Sequence, residues 1–313
     1  MPVLPRDYDP AIVSNAVSAL LVGYLINGGL FGMLCMQLYY YYFSFPKDAL
    51  WIKLNVYFII ILEILQTAFS TYDAWSFFAS NAPNLGVTYY IWLTVPCLGG
   101  VVSFICHIFF AYRIWVITSS KILPAIVSVV ATCALISMSL AADRTRFVTT
   151  WDAFGTARVF ILVGIGAISL FLCDLLIVIF MTYALRRSSS ALHIPRTQRL
   201  VDRITAAVIE TGLLTAMMAM LGMIFYVALG LSGSNCSPYF LLFFLPLTKF
   251  YSNAFMALLN SRKIHKDSVY SDHVSVPVTL RWTSQGDRST TVHGSQTDCS
   301  DTRLQRCCSV SDT

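Results

Sequence analysis

Charged residues are scarce in this sequence. Asp, Glu, Lys and Arg together make up 12% of its 313 residues, against about 25% in a typical soluble domain. Three long stretches, 10–46, 74–112 and 211–248, contain none of the four residue types. So few charges cannot give a globule a hydrated surface. The composition therefore excludes an ordinary soluble domain.

The sequence also lacks the patterns of common metal and disulfide sites. Its nine cysteines are scattered, mostly within apolar stretches, and none forms a C-x-x-C pair, which argues against a zinc site or a disulfide framework. His107 is the only histidine in a predicted helix, and no H-E-x-x-H motif occurs. We therefore expect no cofactor and no enzymatic activity.

Apolar residues dominate what is present. They make up 57% of the chain, and the mean hydropathy is +0.67. A helix crosses a bilayer with about 20 apolar residues, whereas strands of a membrane barrel alternate apolar and polar residues over about 10. The apolar runs match the first pattern. They predict an all-α bundle of seven transmembrane helices, at 16–41, 53–78, 89–115, 122–142, 157–185, 203–229 and 239–260.

Composition divides the chain into three parts. Residues 1–15 are a short extracytosolic N-terminus, and 16–262 are the membrane domain. Sixteen of the last 51 residues are Ser or Thr, without apolar periodicity. Such a composition does not form a packed core. We predict a disordered cytosolic tail over 263–313.

The distribution of positive charge predicts the orientation. With the N-terminus outside, the outer segments hold only Arg6, Arg144, Arg146 and Arg158. The inner segments hold twelve basic residues: Lys47, Lys53, Arg113, Lys121, Arg186, Arg187, Arg196, Arg199, Arg203, Arg262, Lys263 and Lys266. Cytosolic segments carry the excess of Lys and Arg, so the C-terminus is predicted to be cytosolic. Membrane topology explains these charges, and nucleic acid is not a predicted partner.

Aromatic residues agree with this orientation, because Trp and Tyr are enriched at both membrane interfaces. We expect Tyr39 to Tyr42, Trp51 and Trp115 at the inner interface, and Trp75 and Trp92 near the outer one. Among membranes of the secretory pathway, the plasma membrane is the favoured location.

Polar residues inside the predicted helices are the candidate site. A charge at mid-bilayer costs about 2.5 to 3.5 kcal/mol on insertion scales, so such residues face the protein interior and have partners. Helical spacing places Glu63, Gln66, Ser70 and Asp73 on one face of helix two. The predicted intramembrane polar cluster is Glu63, Gln66, Asp174, Glu210, Lys249, Ser252 and Asn253. It is either a network that holds the helices together or a site that responds to a ligand or ion.

Depth and residue size suggest how the helices meet. At about 1.5 Å per residue, Lys249 lies level with Asp174, and Asn253 lies closer to Glu210. Gly28 and Gly32 form a G-x-x-x-G motif in helix one, and Gly212 with Ala216 repeats the spacing of small residues in helix six. Such small residues allow close helix contacts. We expect these contacts within the bundle, with dimerisation as the alternative.

Three stretches carry a resemblance to a known family. They are LINGGLFGMLCMQLYYYYFSFPKDALWIK with LEILQTAFSTYDAW behind it, SFICHIFFAYRIWV, and RLVDRITAAVIETGLLTA with KFYSNAFMALLNSR. The chain resembles the seven-helix membrane proteins abundant in basidiomycete fungi, catalogued as a domain of unknown function. The resemblance implies seven membrane helices and brings no activity or substrate. In Arg196-Thr197-Gln198-Arg199, the Gly-aromatic pair expected after Arg-Thr is missing.

The resemblance also singles out residues near the cytosolic side of helices six and seven. Positions that match its most consistent block are Arg196, Thr197, Asp202, Arg203, Glu210, Thr211, Gly212, Leu213, Thr215, Tyr251, Ser252, Asn253, Asn260 and Arg262. We expect Ser252 and Asn253 to donate hydrogen bonds to Glu210. The basic residues predicted to line the cytosolic face are Arg113, Arg196, Arg199, Arg203 and Arg262. Of these, Arg196, Arg199 and Arg203, together with Asp202, suit lipid headgroups or an acidic protein partner.

Several functions fit these features. The favoured one is a multi-pass membrane protein with a receptor-like, signalling or scaffolding role, lying in a lipid bilayer with a cytosolic protein as partner and an unknown ligand. The alternative is a proton- or cation-coupled transporter or channel that uses the intramembrane carboxylates. A retinal protein would use Lys249 as the Schiff-base lysine with Glu63 or Asp174 as counter-ion, but helix three offers no carboxylate.

Overall fold

A computed structural model describes the backbone of residues 10–78, 89–147, 156–191, 195–231 and 238–273. Side chains are described for 18–78, 89–147, 156–187, 206, 208–228 and 239–262. Seven α-helices run through these ranges: α1 (Pro10–Ser44), α2 (Leu50–Phe78), α3 (Gly99–Thr118), α4 (Ile122–Thr145), α5 (Ala157–Ala191), α6 (Pro195–Leu231) and α7 (Leu241–His273). The described residues include no strand. The predicted all-α class is confirmed.

Each helix contains an apolar segment long enough to cross a bilayer. Together these seven segments indicate an integral membrane protein. The physical cause is local: a charge-free apolar run satisfies its own backbone hydrogen bonds only as a helix once it is in lipid.

The third span departs from the prediction of one continuous helix over 89–115. It begins with a π-helical segment, Leu93–Leu98, that contains Pro96. Proline has no backbone N–H to donate and its ring displaces the preceding carbonyl, which explains a wider turn at this point. The span ends at Ser119, whose φ of 54° is left-handed and whose N–H donates to the carbonyl of Trp115 at 2.8 Å.

Several helices are longer than predicted. Helix α6 begins at Pro195 rather than 203, and proline is well suited to the first helical position. Helix α1 begins at Pro10 and includes residues assigned to the N-terminal segment. Helix α7 continues to His273 and so includes the first eleven residues of the predicted tail. The remainder of the predicted tail, 274–313, lies outside the described residues.

Helix α7 lies at the centre of the bundle and is the most buried span. It contacts five other helices, through Leu30 of α1, Glu63 of α2, Phe109 of α3, Asp174 of α5 and Gly222 of α6. It also carries Lys249, Ser252, Asn253 and Asn260, which lipid would penalise. The most polar of the predicted spans is therefore the one that the others surround.

Small residues behave differently in two helices. A side chain added at Gly28 or Gly32 would meet nothing within 4 Å. The predicted close contact of this G-x-x-x-G motif within the bundle is therefore wrong for the described residues. By contrast, a Cβ at Gly212 of α6 would lie 2.4 Å from Cγ2 of Val178 in α5, so the expected close packing occurs there.

Candidate functional site

Four polar residues of α2 face the interior of the bundle. Glu63, Gln66, Ser70 and Asp73 are each no more than 2% exposed. Their spacing of three and four residues places them on one side of the helix. The predicted polar stripe and its inward orientation are confirmed.

Glu63 and Gln66 meet Lys249 of α7 in the middle of the membrane span. The Lys249 ammonium, 0% exposed, contacts Oε2 of Glu63 and Oε1 of Gln66. It also donates to the backbone carbonyl of Glu63 at 3.4 Å. The Ser252 hydroxyl donates to Oε1 of Glu63 at 2.5 Å. We call these four residues the Lys249 cluster; its charges balance, and all three ammonium hydrogens have acceptors.

Asp73, at the other end of the stripe, has a different role. One of its carboxylate oxygens accepts from the backbone N–H groups of Tyr89 and Tyr90, at 2.9 and 3.0 Å. These groups precede the third span, where N–H groups lack helical partners and carry partial positive charge. Asp73 therefore joins the end of α2 to the beginning of the third span.

Asp174 of α5 forms a second polar group. One carboxylate oxygen lies 3.0 Å from Nε2 of His107 in α3, and the other accepts from the Tyr251 hydroxyl of α7 at 2.9 Å. The rings of His107 and Tyr251 meet edge to face at 5.0 Å. All three residues are buried. Either ring nitrogen of an imidazole can donate or accept, and in this Asp174 triad the carboxylate has a partner on each of its two oxygens.

A small cavity adjoins the triad. Its volume is about 30 Å³, and its lining includes Tyr251, Thr248 and Ser103. A cavity of about 10–15 Å³ already has room for one water molecule. The Thr248 hydroxyl has no hydrogen-bond partner among the described residues. The cavity is therefore large enough for a water molecule.

The two polar groups lie in one layer of the bundle. Lys249, Tyr251 and Ser252 occupy a single turn of α7, with the first and third directed at α2 and the second at α3 and α5. Cys106 of α3 is buried in this layer. Its thiol lies close enough to the Glu63 and Asp174 carboxylates for their charges to act on it. Helix α7 thus bridges the Lys249 cluster and the Asp174 triad.

Two asparagines join α7 to α1. Asn253 donates to the carbonyls of Leu30 at 3.1 Å and of Lys249 at 2.7 Å, and Asn260 donates to the carbonyl of Gln37 at 3.0 Å. Both the donors and their acceptors in α1 are seven residues apart, because the two helices run side by side in the same direction. Asn253 therefore belongs to this pair of helix contacts.

Glu210 is separate from the predicted cluster. It is exposed on α6, whose inward face holds Val208 and Thr215. Ser252 donates to Glu63 instead, so the expected bond from Ser252 and Asn253 to Glu210 is wrong. Counting residues along a helix gives the depth of a side chain in the membrane. It does not give the rotation of the helix about its axis, which decides whether that side chain faces the bundle or the lipid.

An ion pair closes the end of the bundle where α7 reaches Arg262. Its guanidinium meets the Asp48 carboxylate at 2.5 and 3.4 Å and lies 4.6 Å from the centre of the Phe45 ring. The Tyr41 hydroxyl donates to the same carboxylate at 3.1 Å. Tyr41 is buried within the bundle at this end, and its predicted depth at the inner interface stays a prediction. The sequence contained no signal that Asp48, in the short α1–α2 connection, would pair with Arg262.

Of the other basic residues predicted at the cytosolic face, only Arg113 has a described side chain. Arg113 is half-buried near the end of α3. The side chains of Arg196, Arg199 and Arg203 lie outside the described residues. Their role at the cytosolic face stays a prediction.

The described side chains bear on two kinds of cofactor site, a metal site and a retinal Schiff base at Lys249. No group of three or more His, Cys, Asp or Glu among them could hold a metal ion. Of the two counter-ions considered for a Schiff base at Lys249, the structure places Glu63 at the amine, and Asp174 pairs with His107 instead.

The fold and these polar groups define a seven-helix integral membrane protein with a buried polar layer. Residues 170–264 match the model of a family of unknown function, DUF6534. This segment runs from within α5 to within α7 and includes Asp174, Lys249 and Arg262. No curated protein and no solved structure matches the chain. The match agrees with the resemblance as far as a family of unknown function, and the basidiomycete origin stays a prediction.

Proposed function

We propose that this protein is a receptor-like signalling protein in which α7 links a buried polar layer to the end of the bundle. One observation carries the proposal. A series of polar contacts follows α7 from Lys249 through Asn253 and Asn260 to Arg262, each with α1, α2 or their connection. At 1.5 Å per residue this series is about 20 Å long. A signal at mid-membrane therefore has a continuous physical route to the surface.

The contacts suit a switch because they can be broken together. Each joins α7 to the α1–α2 pair, so a shift of α7 of about 1–2 Å, typical of helix movements in switching proteins, would lengthen all of them. The Asp174 triad joins α7 to α3 and α5 instead. Opposing contacts of this kind give α7 two sets of partners, which a ligand could favour unequally.

We further propose that the Arg262 end faces the cytosol and that the N-terminus lies outside, in the plasma membrane. The excess of Lys and Arg on the segments at this end supports that orientation. A cytosolic protein would then be the partner that reads the position of α7. A protease-protected tag at the C-terminus in sealed, right-side-out vesicles would agree with it, and an exposed one would contradict it.

Amide hydrogen exchange tests whether the two ends of the series are coupled. Lys249→Met removes the mid-membrane contact, and we expect faster exchange in residues 45–50 and 259–262. The matched control is Val127→Ala, which removes buried methyl groups from α4 and lowers stability at a residue outside the series of polar contacts. If both variants accelerate exchange equally across the bundle, the series is a rigid structural contact and the receptor proposal fails.

A second candidate, proton- or cation-coupled transport, is favoured by the Asp174 triad. Its carboxylate is buried, lies 3.0 Å from Nε2 of His107, and adjoins a cavity with room for water. Proteoliposomes containing a pH-sensitive dye would reveal transport. A proton flux that is present in the wild type and lost in Asp174→Asn would replace the receptor proposal with this one.

A further inference from the structure

Arg113 stands out among the cations at the Arg262 end. It is half-buried on α3, between the buried residues Phe110 and Ile114. The guanidinium of Arg262 lies close enough for the two positive charges to repel each other. Arg113 makes no ion pair or hydrogen bond with the residues that the structure describes. A half-buried charge beside a like charge is unfavourable unless an anion joins it.

The nearby carboxylate cannot neutralise both arginines. Asp48 is the acid paired with Arg262, and its two oxygens already accept from that guanidinium and from the Tyr41 hydroxyl. One negative charge thus faces two positive ones. The positive charge of Arg113 is left over, and its five N–H donors are available in a planar arrangement that suits a phosphate.

Neighbouring aromatic residues indicate the depth of Arg113. Trp51, Tyr112 and Trp115 are exposed and contact one another, with ring centres 5.0 Å apart for Trp51 and Tyr112 and 6.0 Å for Tyr112 and Trp115. Exposed Trp and Tyr mark the level of the lipid headgroups. Arg113 lies five residues before the end of α3, or about 8 Å along its axis. A lipid phosphate is already present at that level, whereas an aqueous protein partner would have to reach down to it.

We propose that Arg113 binds the phosphate of an anionic phospholipid headgroup, with Arg262 as a second donor whenever Asp48 does not hold it. Guanidinium and phosphate form paired, charge-assisted hydrogen bonds. Asp48 competes with the phosphate for Arg262. The site therefore makes two predictions of opposite sign: removing Arg113 weakens binding, and neutralising Asp48 strengthens it. This inference stands whether the protein is a receptor or a transporter.

Native mass spectrometry of the full chain in mixed micelles tests the site. The probes are phosphatidic acid and phosphatidylcholine with identical acyl chains, and inorganic phosphate as a competitor. We expect wild type to retain one phosphatidic acid in preference to phosphatidylcholine. Arg113→Gln should weaken that binding about tenfold, the effect of one lost charged hydrogen bond. Asp48→Asn should strengthen it severalfold.

Lys121→Gln is the matched control, because it removes the same charge from an exposed position just beyond α3. It should leave binding within about twofold of the wild type, as expected for a screened surface charge. Equal losses in Arg113→Gln and Lys121→Gln would overturn the proposal in favour of diffuse attraction. The gain in Asp48→Asn does not depend on the folding of Arg113→Gln, and its absence would also overturn the site.

The competitor separates a lipid from other phosphates. Retention of phosphatidic acid in millimolar inorganic phosphate supports a lipid site. Displacement by phosphate, or the absence of any preference over phosphatidylcholine, overturns the lipid assignment. The anion that Arg113 binds would then be something other than a lipid headgroup, for example an acidic peptide.

Discussion

Breaking the buried ion pair should cost far more than removing it. In Lys249→Met, the Glu63 carboxylate keeps only the Ser252 hydroxyl as a side-chain donor, in the middle of the membrane span. An uncompensated buried charge typically lowers the free energy of unfolding by about 3–5 kcal/mol. In the double variant Glu63→Leu with Lys249→Met, no charge is left. The Ser252 hydroxyl loses its acceptor but can donate to a backbone carbonyl one turn back in the helix. The main remaining penalty is therefore the unsatisfied Gln66 carbonyl oxygen, about 1–3 kcal/mol.

We therefore expect the double variant to be more stable than Lys249→Met by about 2 kcal/mol, although it carries one more substitution. Unfolding in mixed micelles, with a rising fraction of denaturing detergent, measures these differences. The control is Arg146→Gln, which breaks an ion pair with Asp143 at 3.4 Å whose side chains are 49% and 56% exposed. Exposed pairs contribute about 0–1 kcal/mol.

Two results would refute this reasoning. If Lys249→Met costs no more than Arg146→Gln, the Lys249 cluster is solvated and its charges do not need each other. If the double variant is less stable than Lys249→Met, the carboxylate that Lys249→Met leaves unpaired is not the main penalty, and the desolvation argument is wrong. Intact helical content by circular dichroism is required of each variant.

Two further predictions concern neighbouring packing. Tyr251→Phe removes the hydroxyl that donates to Asp174 at 2.9 Å. It should lower the free energy of unfolding by about 1.5–3 kcal/mol, the range for a hydrogen bond to a charged group. Unchanged stability in the same detergent assay would show that the bond does not form. Gly212→Ala places a Cβ against Val178 and should cost about 1–3 kcal/mol, whereas Gly28→Ala, which has open space, should be neutral or stabilising by up to about 1 kcal/mol. Equal effects of the two glycine substitutions on the unfolding midpoint would contradict the helix contacts.

The sequence was sufficient where the determining force acts within one helix. A run of apolar residues needs no partner to require a lipid environment, so seven spans could be predicted from composition and length. The inward face of α2 followed in the same way, because a single 3.6-residue period aligns Glu63, Gln66, Ser70 and Asp73. The same local reasoning failed at Pro96 of the third span and at Pro195, the first residue of α6, where proline altered the helix itself. It also placed the end of α7 too early.

Pairing between helices was decided by the tertiary structure. Glu63 and Lys249 are 186 residues apart, and nothing in either segment specifies how its helix is rotated about its own axis. Glu210 shows the consequence: its depth suggested a partner in α7, yet rotation of α6 leaves it exposed. The pairing of Asp48 with Arg262 is of the same kind. Each rotation is the outcome of packing all seven helices at once, and only that shared packing determines which buried polar groups meet.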